Sequence, residues 1–248
     1  MRLSDHQADR YWRVETLGGD LMTNWGKVST SGRYEVKSFA DAAECEERAQ
    51  QLVDAKLKAG FQDFPGFDPM QSFYYDDDEM GLHPLTSHPT FRKYFGSEVY
   101  YSSIQDAAPF GNDEGSDALW ELSDLLRRRP KADLTYYPAS LISKLYHLPF
   151  CPPKGETYEE LEAQRNLTLE GRPLLEQLRR TDRVIVALAL AQVKITGCLS
   201  KALYALALRS LDRLVKLKSL GAPVRCSVEL LLQERDDLEI YAREVGLN

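Results

Sequence analysis

The sequence predicts an α+β protein, a small antiparallel sheet with one helix followed by a larger, mainly helical domain. Three observations carry this. Residues 11–39 alternate aromatic or β-branched residues with polar ones and are punctuated by two glycine-containing turns. Residues 41–61 carry helix start and stop signals around a one-sided apolar stripe. Residues 172–219 repeat leucines at spacings of three, four and seven.

Tyr11 to Leu17 reads as a half-buried strand. Gly18-Gly19 suits a hairpin turn, because glycine tolerates positive φ. Asp20 to Val28 returns as a second strand, Ser29-Thr30-Ser31-Gly32 turns again, and Arg33 to Phe39 is a third. Asp41 is an N-cap with Glu44 three residues on, a capping-box spacing. Cys45, Ala49, Leu52, Val53 and Leu57 then share a helical face. Gly60 fits the C′ position, with Phe61 packing back on Leu57. Residues 1–62 thus form a three-stranded meander with one helix.

Residues 63–81 read as a linker, with Pro65, Gly66, Pro69 and the acidic run Asp76-Asp77-Asp78-Glu79. Residues 82–248 form the helical domain. Glu98 to Ser102 suggests a short strand. Asn112 or Asp113 caps a helix whose apolar face is Leu119, Leu122 and Leu126, stopped by Pro130. Pro138 opens another helix, and Thr157 with Glu160 caps a third. Thr196-Gly197 and Gly221-Ala222-Pro223 break the long apolar region, and Ser227 to Val245 supplies a last helix.

Composition narrows the function. The 248 residues are 43% hydrophobic and 28% charged, with a formal net charge of -7. That balance argues against a surface that is basic throughout. The acidity is concentrated in residues 63–183, which hold 21 Asp/Glu against 13 Lys/Arg. Residues 10–39 instead carry Arg10, Arg13, Lys27, Arg33 and Lys37 against Glu15, Asp20 and Glu35, so an anion-binding surface belongs there. The polar N-terminus has no signal-peptide core, and the longest apolar run, Val184 to Ala191, is too short to span a bilayer. Cys45, Cys151, Cys198 and Cys226 are scattered, with no zinc spacing, as reduced thiols of a cytoplasmic protein would be.

No nucleophile elbow, phosphate loop, dinucleotide fingerprint or zinc-protease motif occurs, so a non-enzymatic protein without cofactor or metal is expected. His83 and His88 each precede a proline, which argues against a helical ligand pair, and His6 and His147 are remote. The acidic run lacks the ligand pattern of a calcium loop and reads as solvated. The stretch Phe110-Gly111-Asn112-Asp113-Glu114-Gly115 reads as a tightly capped helix start, with a carboxylate acid/base site as the alternative. Arg127-Arg128-Arg129 complements a helix C-terminus.

Tyr11-Trp12, Trp25-Gly26-Lys27, Gly32-Arg33, Lys37-Ser38-Phe39 and the Glu-rich helix through Lys56 to Phe61 together resemble a WGR domain, over about a quarter of the chain. This family occurs in poly(ADP-ribose) polymerases and in bacterial proteins. The resemblance implies nucleic-acid binding, with DNA ends or single strands preferred. It implies that Trp25 stacks on a nucleotide and that Lys27 and Arg33 contact phosphates. Gly26 gives room for close approach, and Arg13 and Lys37 extend the patch. The family's arginine is Lys27 here, which keeps the charge and loses the planar fork. The alternative function is a protein-interaction or regulatory module, including an immunity-type adaptor, whose acidic helical region takes a basic protein partner.

Register decides which of these side chains cooperate. With a two-residue Gly18-Gly19 loop, Trp25 pairs with Trp12 beside the core. With a bulged three-residue loop it pairs with Arg13 and faces outward. A patch of Arg13, Trp25, Lys27, Arg33 and Lys37 is expected from the second register, or from a bulge further along a strand.

Overall fold

The computed structural model describes residues 1–5, 9–28, 30–64, 66–77 and 79–247; His6, Ser29, Pro65 and Asp78 lie outside them. Strands β1 (Arg2–Asp5), β2 (Arg10–Leu17), β3 (Asp20–Lys27), β4 (Arg33–Ser38) and β5 (Gln62–Asp63) form one antiparallel sheet in the order β4-β3-β2-β1-β5. β2, β3 and β4 are the strands that the alternation predicts. β1 and β5 have no such pattern: β1 is mostly polar, and it is a strand because it pairs along β2 and buries Leu3 completely. β5 is two exposed residues held by pairing with β1.

Helix α1 (Ala42–Lys58) covers one face. The Asp41 carboxylate accepts from the Glu44 amide at 2.9 Å, as a cap should. The Glu44 side chain accepts from the Ala40 amide at 3.0 Å, one residue before the cap, so the box is shifted from its standard form. Cys45 and Val53 pack on Leu3, Trp12, Val14 and Leu21, with Phe39, Ala49, Leu52 and Phe61 at the margin. Leu57, expected on this face, is exposed. The stem of Lys56 takes its place, with the ammonium 5.8 Å from the Trp12 ring and 5.2 Å from that of Phe61. Gly60 sits at φ +92°, while the Phe61 amide donates to the Lys56 carbonyl and the Gly60 amide to that of Leu57, closing the helix in a Schellman motif.

Residues 63–81 are not a linker. Tyr74 and Tyr75 are buried, the Tyr34 hydroxyl donates to the Phe73 carbonyl at 2.8 Å, and the Val36 amide donates to Asp77 at 2.8 Å. Nor are Asp76 and Asp77 of the acidic run free in solvent, although Glu79 is exposed. Asp77 also accepts from the amides of Glu79 and Met80, and Asp76 accepts from buried Lys194 at 2.6 Å and from Thr86 at 2.9 Å. The physical reason is aromatic burial: Phe64, Phe67, Phe73, Tyr74 and Tyr75 lie in this stretch, and burying them brings the carboxylates to donors that need them. The chain accordingly divides differently from the expected 1–62, 63–81 and 82–248. One unit is Met1–Arg92 with Lys194–Gly197, and the other comprises Lys93–Val193 and the residues from Cys198 onward.

Both His-Pro pairs are turn caps. The Leu85 amide donates to His83 Nδ1 at 3.0 Å and the Thr90 amide to His88 Nδ1 at 3.1 Å. Their Nε2 atoms face Asp20 and the Met70 carbonyl.

Beyond the short α2 (Pro89–Tyr94) the chain is mostly helical: α3 (Asp113–Arg128), α4 (Tyr137–Tyr146), α5 (Tyr158–Ala163), α6 (Leu174–Thr196), α7 (Lys201–Ser219) and α8 (Val228–Glu244), with a small β6–β7 hairpin (Thr168–Leu169, Arg172–Pro173). Glu98–Tyr101, expected as a strand, is a 3-10 turn; its Tyr100 is buried edge-on to Phe95 and donates to Asp237 at 2.6 Å. Asn112 caps α3, Thr157 and Glu160 form a full capping box on α5, and Ser200 and Ser227 cap α7 and α8. The Phe110–Gly115 stretch is a packing device. A Cβ on Gly111 would collide with the Gln105 carbonyl and one on Gly115 with that of Pro109. Its Glu114 is buried and held by Arg179 at 2.9 Å and Arg180 at 3.2 Å.

One of the deeply buried charge pairs of the second unit is Arg213–Asp182. Arg213 Nε and Nη2 each reach the carboxylate at 2.8 Å, and the remaining donors take Glu156 at 2.9 Å and the Cys151 carbonyl at 2.7 Å. Removing the cation leaves a carboxylate with no exposed surface unpaired. Arg213→Met should therefore lower the unfolding free energy by roughly 3–5 kcal/mol in a urea titration.

A pH dependence follows from Glu15 and Glu114. Burial raises each carboxyl pKa, but Arg13 and Arg92 around Glu15, and Arg179 and Arg180 around Glu114, outweigh it and hold both below the ordinary 4.5. A depressed carboxylate contributes stability above its unfolded value and loses it as pH falls through the folded one. The urea midpoint should fall as pH drops below 4.5, and Glu15→Gln should flatten that acid limb.

Candidate nucleic-acid interface

Leu17 faces Asp20 across the Gly18-Gly19 turn, so Trp12 faces Trp25, Arg10 faces Lys27 and Arg13 faces Asn24. The two-residue register is the one formed. On β4, Arg33 faces Trp25, Glu35 faces Thr23 and Lys37 faces Leu21. Facing residues share a side of the sheet. The α1 side therefore carries Arg10 and Trp12 on β2, Trp25 and Lys27 on β3, and Arg33, Glu35 and Lys37 on β4.

This register was expected to bury Trp25, yet its indole is 38% exposed while Trp12 is 4% exposed. The core under α1 takes in Trp12, Val14, Leu3 and Leu21, and Trp25 lies outside it at the end of β3. No bulge and no odd register are needed. Lys27 follows Trp25 by two positions on its own strand, Arg33 is across on β4, and Arg10 is diagonal on β2; all three are exposed. Among the described residues none of the three forms an ion pair.

Arg13 does not join them. Its side chain lies on the opposite face, 2% exposed, bonded to Glu15 and to the Tyr74 hydroxyl. Strand alternation sends residue 13 to the face that residue 12 avoids. Burial lowers its pKa, but Tyr74 and Glu15 outweigh that and raise it. Lys37 is on the correct face but is paired with Glu35 at 2.9 Å, two residues further from Trp25 than that carboxylate. Gly26 serves the hairpin. A Cβ there would lie 2.7 Å from the Gly32 Cα and 3.0 Å from Thr30 Oγ1. Gly32, at φ +66°, could carry no side chain without striking the Tyr11 hydroxyl and the Trp25 carbonyl. Buried Asn24 donates to the Ser31 and Arg33 carbonyls, both at 3.0 Å, and so fixes the strand that presents Arg33.

Arg10 is the member that motif matching left out. Once the two-residue register is taken, it falls opposite Lys27, and that pairing is the signal that finds it. Like charges directly opposite on a sheet cost about 0.2–1 kcal/mol. An exposed indole beside three such cations suits a stacked ring with a phosphate alongside. Among the described residues, no group of three or more His, Cys, Asp and Glu side chains could hold a metal ion, and no helix is long and apolar enough to cross a membrane.

The two tryptophans differ in what they do for the fold. Trp12→Ala should cost roughly 3–5 kcal/mol in urea unfolding, as for a fully buried large aromatic. Trp25→Ala should cost under about 1 kcal/mol, as for a surface position.

Residues 1–68 match the WGR domain family. The chain is 32% identical over 209 residues to the uncharacterised protein YfeS of Escherichia coli K12, an alignment covering 84% of this chain and 83% of that one. It is 37% identical over 57 residues to the protein YehF of the same organism, covering 23% of this chain and 21% of that one. A Bacteroides fragilis crystal structure aligns over 41% of this chain and 31% of its own at 21% identity, with a TM-score of 0.24, which is too low to carry a structural argument.

Proposed function

Since this chain belongs to the same family as YfeS and carries a WGR domain, we propose that it is a non-enzymatic nucleic-acid-binding protein whose contact surface is the α1-side end of the hairpin joining β3 and β4. The observation that carries the reading is the exposed Trp25 flanked by Arg10, Lys27 and Arg33, three cations without an ion-pair partner among the described residues. WGR domains are associated with nucleic-acid binding in poly(ADP-ribose) polymerase-like proteins, and DNA ends or single strands are the preferred substrates by that likeness. In this assignment Trp25 stacks on a base, and the cations take the adjoining phosphates without reading sequence. Lys37, neutralised by Glu35, adds little. With a net charge of -7 on the whole chain, affinity is modest and falls steeply with salt.

A second reading, a protein partner on the helical unit, is favoured by Trp120, which is 67% exposed on α3. A partner retained by the intact chain after nuclease treatment, and lost with Trp120→Ala, would select it.

The test uses the full chain and a fluorescent single-stranded oligonucleotide at several salt concentrations. Trp25→Ala should weaken binding by roughly 1–3 kcal/mol for every sequence. Arg10→Ala, Lys27→Ala and Arg33→Ala should each reduce the log–log salt slope by about 0.7. Absence of saturable binding at low salt to single strands and to duplex ends would end the proposal.

A further inference from the structure

On the other face of the sheet lies a cavity of ≈ 530 Å³, lined among others by Arg2, Arg13, Asp63, Phe64, Phe67 and Met70. Volumes of roughly 300–1,000 Å³ are those of small-molecule sites. Its lining residues all belong to the first unit. Arg2 and Arg13 face each other directly across β1 and β2, another like-charged pair. The two guanidiniums are treated differently. That of Arg13 is paired with Glu15, a carboxylate it shares with Arg92 at 2.5 Å, and is bonded to Tyr74. That of Arg2 has no ion pair and no hydrogen bond among the described residues, and its Nε is buried without a partner.

Arg2 is nevertheless firmly placed. Its guanidinium lies 4.1 Å from the centre of the Tyr11 ring, 5.1 Å from that of Phe64 and 4.8 Å from that of Phe67. Stacked rings hold the plane of the fork but leave its N–H groups, which lie in that plane, without acceptors. Burial, and after it the neighbouring Arg13, draws the Arg2 pKa down. The guanidinium is therefore oriented by the fold without an ion-pair partner among the described residues. Phe64, Phe67 and Met70 add apolar wall beside it.

We propose that this cavity binds a small aromatic anion, a flat ring bearing one phosphate or carboxylate, with the anionic group on the Arg2 fork and the ring against Phe64 and Phe67. The assignment is independent of the nucleic-acid reading, because Trp25 and its cations lie on the α1 side of the sheet. Asp63 on the lining disfavours a second negative charge, so the singly charged carboxylate is preferred to the phosphate monoester, which carries nearly two charges at pH 7.

The experiment is titration of the full chain with phenyl phosphate and with benzoate, followed by calorimetry and by NMR shifts of Phe64 and Phe67. Benzyl alcohol and inorganic phosphate serve as the ring without charge and the charge without ring. Saturable binding of either aromatic anion, weakened at least about tenfold in Arg2→Gln and unchanged in Trp25→Ala, is the expected result. Asp63→Asn should tighten it, which gives a readout of opposite sign should Arg2→Gln fail to fold. Failure of both aromatic anions to saturate at millimolar concentration overturns the proposal. So does equal binding of benzyl alcohol or inorganic phosphate, loss of binding in Trp25→Ala, or weaker binding in Asp63→Asn.

Discussion

The turn at Gly18-Gly19 has two residues, and that single length fixes the facing of every side chain on β2 and β3. Gly18 takes φ +57°, and a Cβ on Gly19 would press on the Phe39 carbonyl at 3.0 Å, so the turn is held by the start of the α1 connection as well as by its own backbone. From it follow the opposition of Trp12 and Trp25, of Arg10 and Lys27, and of Arg13 and Asn24. A slip of one residue would exchange the α1-facing set with the set on the opposite face, because side chains alternate at each position. Helix α1 then closes over Trp12 and leaves Trp25 outside the core.

The two faces spend their cations differently. On the α1 side Arg10, Lys27 and Arg33 remain in solvent, where charge is cheap to keep and available to a partner. On the other side Arg13 is taken from water, and burial requires compensation. Glu15 and Tyr74 supply it, and Arg92 shares the Glu15 carboxylate, which explains why residues well outside the first sixty are structurally part of the same unit. Asp77 on the Val36 amide and Asp76 on Lys194 follow the same rule: each buried polar group recruits a partner from a distant part of the sequence.

The second unit uses buried ion pairs in the same manner. Arg213 with Asp182 and Arg179 with Glu114 join residues far apart in sequence. Such pairs add little net stability relative to an apolar core, yet they penalise any arrangement that separates the partners. The carboxylates that stood out in the sequence, Glu114 and the 76–77 pair, are engaged in this way.

The sequence by itself determined the local elements. Hydrophobic period, caps and breakers identified β2 to β4, α1, the cap at Thr157 and the start of α3 at Asn112 or Asp113, because those signals act within a few residues. The resemblance singled out Trp25, Lys27 and Arg33, but their shared exposure was expected only from a register that does not form. Only the tertiary structure decided that Arg2–Asp5 is a strand, that residues 63–81 pack against the sheet, that Arg13 is buried while Arg10 joins the cluster, and that Arg2 faces an open cavity. Each of these depends on pairing or burial between segments distant in sequence. Such a contact is stabilising only once both partners are in place, and neither partner's local pattern encodes it.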